Sequence, residues 1–435
     1  MRSLLAAGAD VNRPDAKGCT ALLHATIEGR LAALELLLVS GANRQNWQSA
    51  ECDPLCAAAS KGDLACVKAL VTAGVPIITD STHGFSALHS AAQNGHVEIL
   101  QYLLKQGASA NAESSSGETA LSAASATGHL SCIQVLLEAG AEVNRPSQAG
   151  RTPLYWAACE GQLEAVEWLL NSAAKTRGWT SAQCDPLCGA TFKGHLACVQ
   201  ALTKAGCPIV TDGTYGLFSA LHGAAQMGHV EILQHLLQQG AAANSASTAN
   251  GRTPLMMACM QGRLSCIQTL LAAGADVHRT SERGDTALYF AAKQGHPEAV
   301  ALLLAARAPV DHRNSARQTA LWAACEQGHE KVVAKLLAAG ANPRMEVQSV
   351  TPLRRAAQGG HPKVVEQLLA AGMNPLKGSG LSLSLVLSKP KTTPHRAPGD
   401  VVGNEDEEHY AEIEVTRLLQ QGYPTHDLKM CKRGK

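Results

Sequence analysis

Histidine and cysteine are the residues of this 435-residue chain best able to act as bases, nucleophiles or metal ligands, and it carries 17 of the first and 14 of the second. Their placement points elsewhere. His96, His129, His195, His229, His296, His329 and His361 each follow a glycine directly, at intervals of 32 to 34 residues or about twice that. Catalysis needs one constellation, so copies at one place of a repeating unit indicate a structural role. Cys66, Cys132, Cys198 and Cys266 recur in the same way among apolar residues, as small core hydrophobes do. The pairs Cys52 with Cys56 and Cys184 with Cys188 have the look of half a zinc site. Four repeats, about 40 Å at a helix diameter per repeat, separate them. No nearby histidine completes either pair, and a structural zinc needs four ligands in one place. There is no phosphate-cradling glycine loop with Lys, no nucleophile elbow and no carboxylate pair beside a pocket-forming strand. No catalytic, cofactor-binding or metal-ligating residue is expected, and no enzyme.

The elements behind this recurrence are short helices. In TALSAASATGHLSCIQVLLEAGAEVN, Thr119 to Asn144, Thr119 can cap an Ala-rich helix that Gly128 ends. A second helix follows from His129 with Ile133, Leu136 and Leu137 on one face, and Gly140 stops it. The anchor recurs at Thr20, Asp53, Ser86, Thr119, Thr152, Asp185, Ser219, Thr253, Thr286, Thr319 and Thr351, with a spacing of 33 varied only to 32 or 34. Every anchor can cap, and proline follows five of them, where a first helical turn tolerates it.

The unit resembles the ankyrin repeat, whose period is 33 and whose signature includes T-P-L-H-x-A. SALHSAAQNGHVEILQYLLKQGA from Ser86 is among the closest matches, with His89 and His222 at the histidine of that signature. The resemblance covers residues 1 to 374 and implies an all-α solenoid of stacked antiparallel helix pairs joined by hairpin-like loops. It also implies protein binding along the concave side.

The organisation read from the chain is an array over 1–374 that opens with a partial repeat at 1–15, a Ser/Pro/Gly-rich linker or insertion at 375–408, and a degenerate capping helix with a basic tail at 409–435. Within the linker, Leu381, Leu383, Leu385 and Leu387 read equally as a short strand or as the first helix of a twelfth repeat. The opening half-unit suggests that something upstream is absent. WQSAECDPLCAAASKGDLACV from Trp47 closely matches WTSAQCDPLCGATFKGHLACV from Trp179, so a block of four repeats is duplicated. Each block opens on a hairpin with Glu51 or Gln183 in place of the family's glycine. Ala173 and Arg307 replace helix-stop glycines, which puts the local loop geometry in question.

With 37 basic and 36 acidic residues there is no field to attract nucleic acid or anionic lipid. No apolar run approaches the roughly 20 residues of a membrane span. The start lacks a secretory segment, and a cytoplasmic or nuclear monomer with reduced thiols is expected. The partners implied are other proteins or extended peptides. Aromatics make up only 3% of the chain, yet several fall at the family's contact positions. The candidate protein-binding residues are Trp47, Phe85, Trp179, Phe192, Lys193, Tyr215, Phe218, Met227, Arg252 and Met260. Tyr155, Trp156, Met256, Met257, Tyr289, Phe290 and Trp322, three or four after an anchor, read as buried between repeats. Two functions follow: a non-catalytic interaction scaffold gripping partners along the concave face of repeats five to nine, or the regulatory or targeting arm of a larger kinase, ubiquitin-ligase adaptor or channel.

Overall fold

In the computed structural model, residues 2–3, 7–16, 18–43, 53–77, 86–176, 185–209 and 219–373 are described. The linker, the capping helix and the hairpins holding Glu51 and Gln183 lie outside them. Among the described residues there are 22 α-helices and no strand. They alternate between an inner helix of seven or eight residues, starting just after an anchor, and an outer helix of nine: α1 (Ala21–Ile27) and α2 (Leu31–Val39), α3 (Pro54–Lys61) and α4 (Leu64–Thr72), α5 (Ala87–Gln93) and α6 (Val97–Lys105), α7 (Ala120–Thr127) and α8 (Leu130–Glu138), α9 (Pro153–Cys159) and α10 (Leu163–Asn171), α11 (Pro186–Lys193) and α12 (Leu196–Lys204). The series continues with α13 (Ala220–Met227) and α14 (Val230–Gln238), α15 (Pro254–Met260) and α16 (Leu264–Ala272), α17 (Ala287–Lys293) and α18 (Pro297–Ala305), α19 (Ala320–Gln327) and α20 (Glu330–Ala338), and α21 (Pro352–Gln358) with α22 (Pro362–Ala370).

The helices fall into two compact units that divide between residues 210 and 221, α1 to α12 in the first and α14 to α22, with α13 from Leu221, in the second. In the first unit the inner helices pack in the order α1, α3, α5, α7, α9, α11, and outer helices pack likewise. In the second, α15, α17, α19 and α21 do the same. Helices this short are marginal alone in water, so packing must hold them. Each outer helix after α2 buries two adjacent residues and a third one turn on, such as Cys132, Ile133 and Leu136, each 0% exposed. Leu137, expected on that face, is half-buried. Inner helices approach closely through alanine, as at Ala91, Ala124 and Ala157.

The anchors cap as their residue types require. Thr119 Oγ1 accepts from Ser122 N–H at 3.3 Å and Thr319 Oγ1 from Trp322 N–H at 3.1 Å. Asp53 and Asp185 reach one residue less far, accepting from Leu55 and Leu187 N–H at 2.8 Å each. His96, His129, His296, His329 and His361 have a common task. The ring Nε2–H donates to a carbonyl near the end of the preceding inner helix: His96 to Ser60 at 3.0 Å, His129 to Gln93 at 3.1 Å, His329 to Lys293 at 3.0 Å. Gln162 and Arg263 make the same bond where histidine is absent, to Ala126 at 3.3 Å and Gln226 at 3.2 Å. Gly95 has φ +76°, and a Cβ there would lie 2.8 Å from the His129 ring, so the glycine meets both a conformational and a steric demand. Ala173 and Arg307 take φ 65° and 64°, the left-handed turn of the glycines they replace, so those loops keep the common geometry.

Candidate functional site

The inner helices and the turns before them present the residues that could meet a partner. In the first unit, Thr152 caps α9 and places Tyr155 and Trp156 on successive faces, with ring centroids 5.6 Å apart in an edge-to-face pair. Tyr155 packs onto α11 at Gly189, where a Cβ would lie 3.1 Å from the ring. The Arg151 guanidinium, directly before the anchor, covers both rings, 5.4 Å from Tyr155 and 5.2 Å from Trp156. One repeat on, the last turn of α11 carries Phe192, which is 49% exposed, beside exposed Lys193.

The second unit repeats this layering. Tyr289 and Phe290 form an edge-to-face pair at 6.0 Å. Arg252 lies 5.1 Å over Phe290, Lys293 6.0 Å over Tyr289 and Arg355 5.4 Å over Trp322. Arg355 is held in place by Glu326, whose Oε1 accepts from its Nε at 3.0 Å. Tyr289 O–H donates to Gln318 Oε1 at 2.7 Å, and burial, with Asp285 and Glu326 nearby, pushes the phenol up to about 12. The rings are therefore interior, and the groups over them are cations. Met227 and Met260 are half-buried on α13 and α15.

Of the ten candidate binding residues, Phe192, Lys193, Met227, Arg252 and Met260 are described, and Trp47, Phe85, Trp179, Tyr215 and Phe218 lie outside the described residues. Phe192 and Lys193 stand together in the first unit, while Met227, Arg252 and Met260 belong to the second. The residues expected between repeats are there: Tyr155, Met256, Met257, Tyr289, Phe290 and Trp322 are all at most 9% exposed, with Trp156 half-buried. Sequence reasoning missed Arg151, Lys293 and Arg355 as covers over those rings. The signal was present for Arg151, a basic residue just before an anchor that is followed by two aromatics.

The recurrent cysteines on the outer helices, with His89 and His222, lie in the interior. Cys66, Cys132 and Cys198 are at most 1% exposed, and burial pushes their thiols up to about 12, 11 and 11. A thiol so raised stays protonated and unreactive. His89 is 0% exposed, its Nε2–H donating to Glu118 O at 2.9 Å while Nδ1 accepts from Ser86 N–H at 3.3 Å. His222 likewise donates to Arg252 O at 2.9 Å, and burial lowers its pKa to about 4. Cys56 Sγ donates to Asp53 Oδ2 at 3.3 Å, which gives that member of the suspected half-zinc pair a structural task. Its companions Cys52 and Cys184 lie outside the described residues. No helix of the described residues is long and apolar enough to cross a membrane.

Models of ankyrin repeats in three copies match the chain in overlapping segments from residue 34 to 378, and a model of ankyrin repeats in many copies matches residues 1–38. No curated protein matches. Among solved structures, the crystal structure of the human ASB11 ankyrin repeat domain is 30% identical over 51% of this chain and 98% of that one, with a TM-score of 0.46.

Proposed function

Because this chain belongs to the ankyrin-repeat family, whose members are generally protein–protein interaction modules, we propose that it is a non-catalytic, monomeric scaffold or adaptor that binds partner proteins or extended peptides along its inner-helix face, in the cytoplasm or nucleus. The observation that carries this reading is Phe192. Four large apolar side chains are exposed among the described residues, Val39, Trp168, Phe192 and Leu264, and Phe192 alone lies on an inner helix. An exposed ring beside a lysine is the composition of an interface anchor with its polar rim. The covering cations Arg151 in the first unit, and Arg252, Lys293 and Arg355 in the second, supply further polar contacts over rigid aromatic supports.

The test is site-specific photo-crosslinking in cell extract, with the probe at position 192 or, as a control, at position 168 on outer helix α10. Discrete partner adducts are expected from 192 and not from 168. Equal labelling from both positions, or none from either, removes the inner-face assignment.

A further inference from the structure

Asp15, Cys19 and His24 each bring one metal-ligating atom to the turn before α1, and all three atoms lie within 4.8 Å of one another. We propose that these residues form a three-ligand site for a divalent transition metal, zinc foremost, with the fourth position left to water.

The local backbone builds the site. Asp15 N–H donates to Cys19 O at 2.9 Å and Gly18 N–H to Asp15 O at 3.0 Å, which closes the turn and sets the two side chains together. Asp15 Oδ1 accepts from Cys19 N–H at 2.9 Å, and this leaves Oδ2 directed at His24 Nε2, also 2.9 Å away. His24 is held on the first turns of α1, its N–H bonded to Thr20 O at 3.1 Å, and Thr20 caps the helix through Leu23 N–H. Two of the three ligands are thus oriented by bonds that do not use the ligating atoms. The Asp15 to His24 contact is the pair that a metal would replace with two coordinate bonds.

The donor set selects the ion. One carboxylate oxygen, one thiolate sulfur and one imidazole nitrogen suit a borderline-soft cation, whereas magnesium and calcium require oxygen. Three protein ligands with an open position is the arrangement of exchangeable rather than buried structural zinc. Access agrees with this, since the His24 and Asp15 side chains are 57% and 40% exposed and Cys19 is half-buried. On binding, the Cys19 S–H bond breaks, its electron pair goes to the metal and its proton to solvent, so affinity rises with pH.

This constellation occurs once. The positions five before, one before and four after the anchor are Ser114, Glu118 and Ala123 in the repeat of Thr119, Ser147, Arg151 and Trp156 in that of Thr152, and Asn314, Gln318 and Ala323 in that of Thr319. None of these repeats offers three ligands. The recurrence that assigns the post-glycine histidines to structure therefore does not reach His24, which stands outside that template position.

The experiment uses the full chain, stripped of metal under reducing conditions and titrated with cobalt(II) chloride and, separately, zinc chloride against a chromophoric chelator. We expect one tight equivalent with a dissociation constant on the order of 1 µM. Cobalt should show the ultraviolet charge-transfer band of one thiolate and the visible bands of tetrahedral geometry. Cys19→Ser should abolish the charge-transfer band, and His24→Ala or Asp15→Asn should weaken binding at least about tenfold. Circular dichroism of each variant should match the parent, because the ligating atoms are near the surface. Absence of a tight equivalent in the parent, or a charge-transfer band and affinity that persist in Cys19→Ser, overturns the assignment.

Discussion

At the start of α11 a carboxylate does what a hydroxyl does at the start of α17. Asp185 accepts from Leu187 N–H at 2.8 Å, two residues on, and Thr286 from Tyr289 N–H at 3.2 Å, three residues on. The consequences spread through each repeat. Asp185 is 3% exposed, and burial raises its carboxyl to about 6. Cys188, three after the anchor, answers with an S–H bond to Oδ2 at 3.5 Å. The same place after Thr286 holds a tyrosine, 6% exposed. Seven after the anchor the pattern reverses: Phe192 is exposed on α11, whereas Lys293 ends α17 and lies over Tyr289. One repeat has a half-buried thiol beside its cap and a ring outside, and the other a ring inside and a cation outside. In both Asp-anchored repeats the residue three on is a cysteine whose S–H donates to the cap, Cys56 to Asp53 at 3.3 Å and Cys188 to Asp185 at 3.5 Å.

The contrast is broken most directly at the covered rings. Phe290→Ala, in a 5% exposed position, should cost about 3–5 kcal/mol in urea unfolding of the second unit. A loss below about 1 kcal/mol would mean that these rings are not core.

Acid should act in opposite directions through Asp185 on α11 and His222 on α13. His222 has a folded pKa near 4, below its ordinary 6.5, so its contribution is present above pH 6.5 and lost as pH falls toward 4. At 1.36 kcal/mol per unit that amounts to up to about 3 kcal/mol. Asp185 has a folded pKa near 6, above its ordinary 3.8, so the folded state is favoured in acid and loses up to about 3 kcal/mol as pH rises through 6. Asp185→Asn keeps an accepting oxygen and removes the charge. Its stability relative to the parent should be higher at pH 7 than at pH 4.5, by chemical unfolding at each pH, and a constant difference would contradict the buried-carboxylate account.

Smaller effects sharpen the picture. Ala173→Gly and Arg307→Gly, at φ 65° and 64°, should each stabilise by about 1 kcal/mol because only glycine adopts that turn without strain. The change is measurable as a shift in unfolding midpoint. Last, Phe192→Ala should change stability by no more than about 0.5 kcal/mol while removing partner adducts. A large drop in stability would place that ring with the covered ones.

The repeat, its helix pairs and its caps were legible because each depends on near neighbours in the chain. A Thr anchor, a glycine that must turn left-handed and a histidine thirty-three residues from the next carry their physics in local pattern. The burial of Tyr289, Phe290 and Trp322 was legible for the same reason, since position relative to the anchor determines depth. Three features were not. Arg355 covers Trp322 and reaches Glu326 in the preceding repeat, 29 residues away. Asn111, through Nδ2, bonds Gly140 O at 3.1 Å in the next repeat, a ladder that neither segment announces alone. Asp15 and His24 meet because a closed turn carries the carboxylate back over the helix, whereas the spacing of nine residues matches no helical face.

Period, cap chemistry and helix polarity thus belong to the amino-acid order itself, being properties of short stretches whose backbone has few alternatives. Which rings lie under cations, which one meets solvent, and where three ligands converge depend on stacking and turn closure. They depend on the packing because each joins side chains from separate turns or repeats, whose mutual orientation no local periodicity determines.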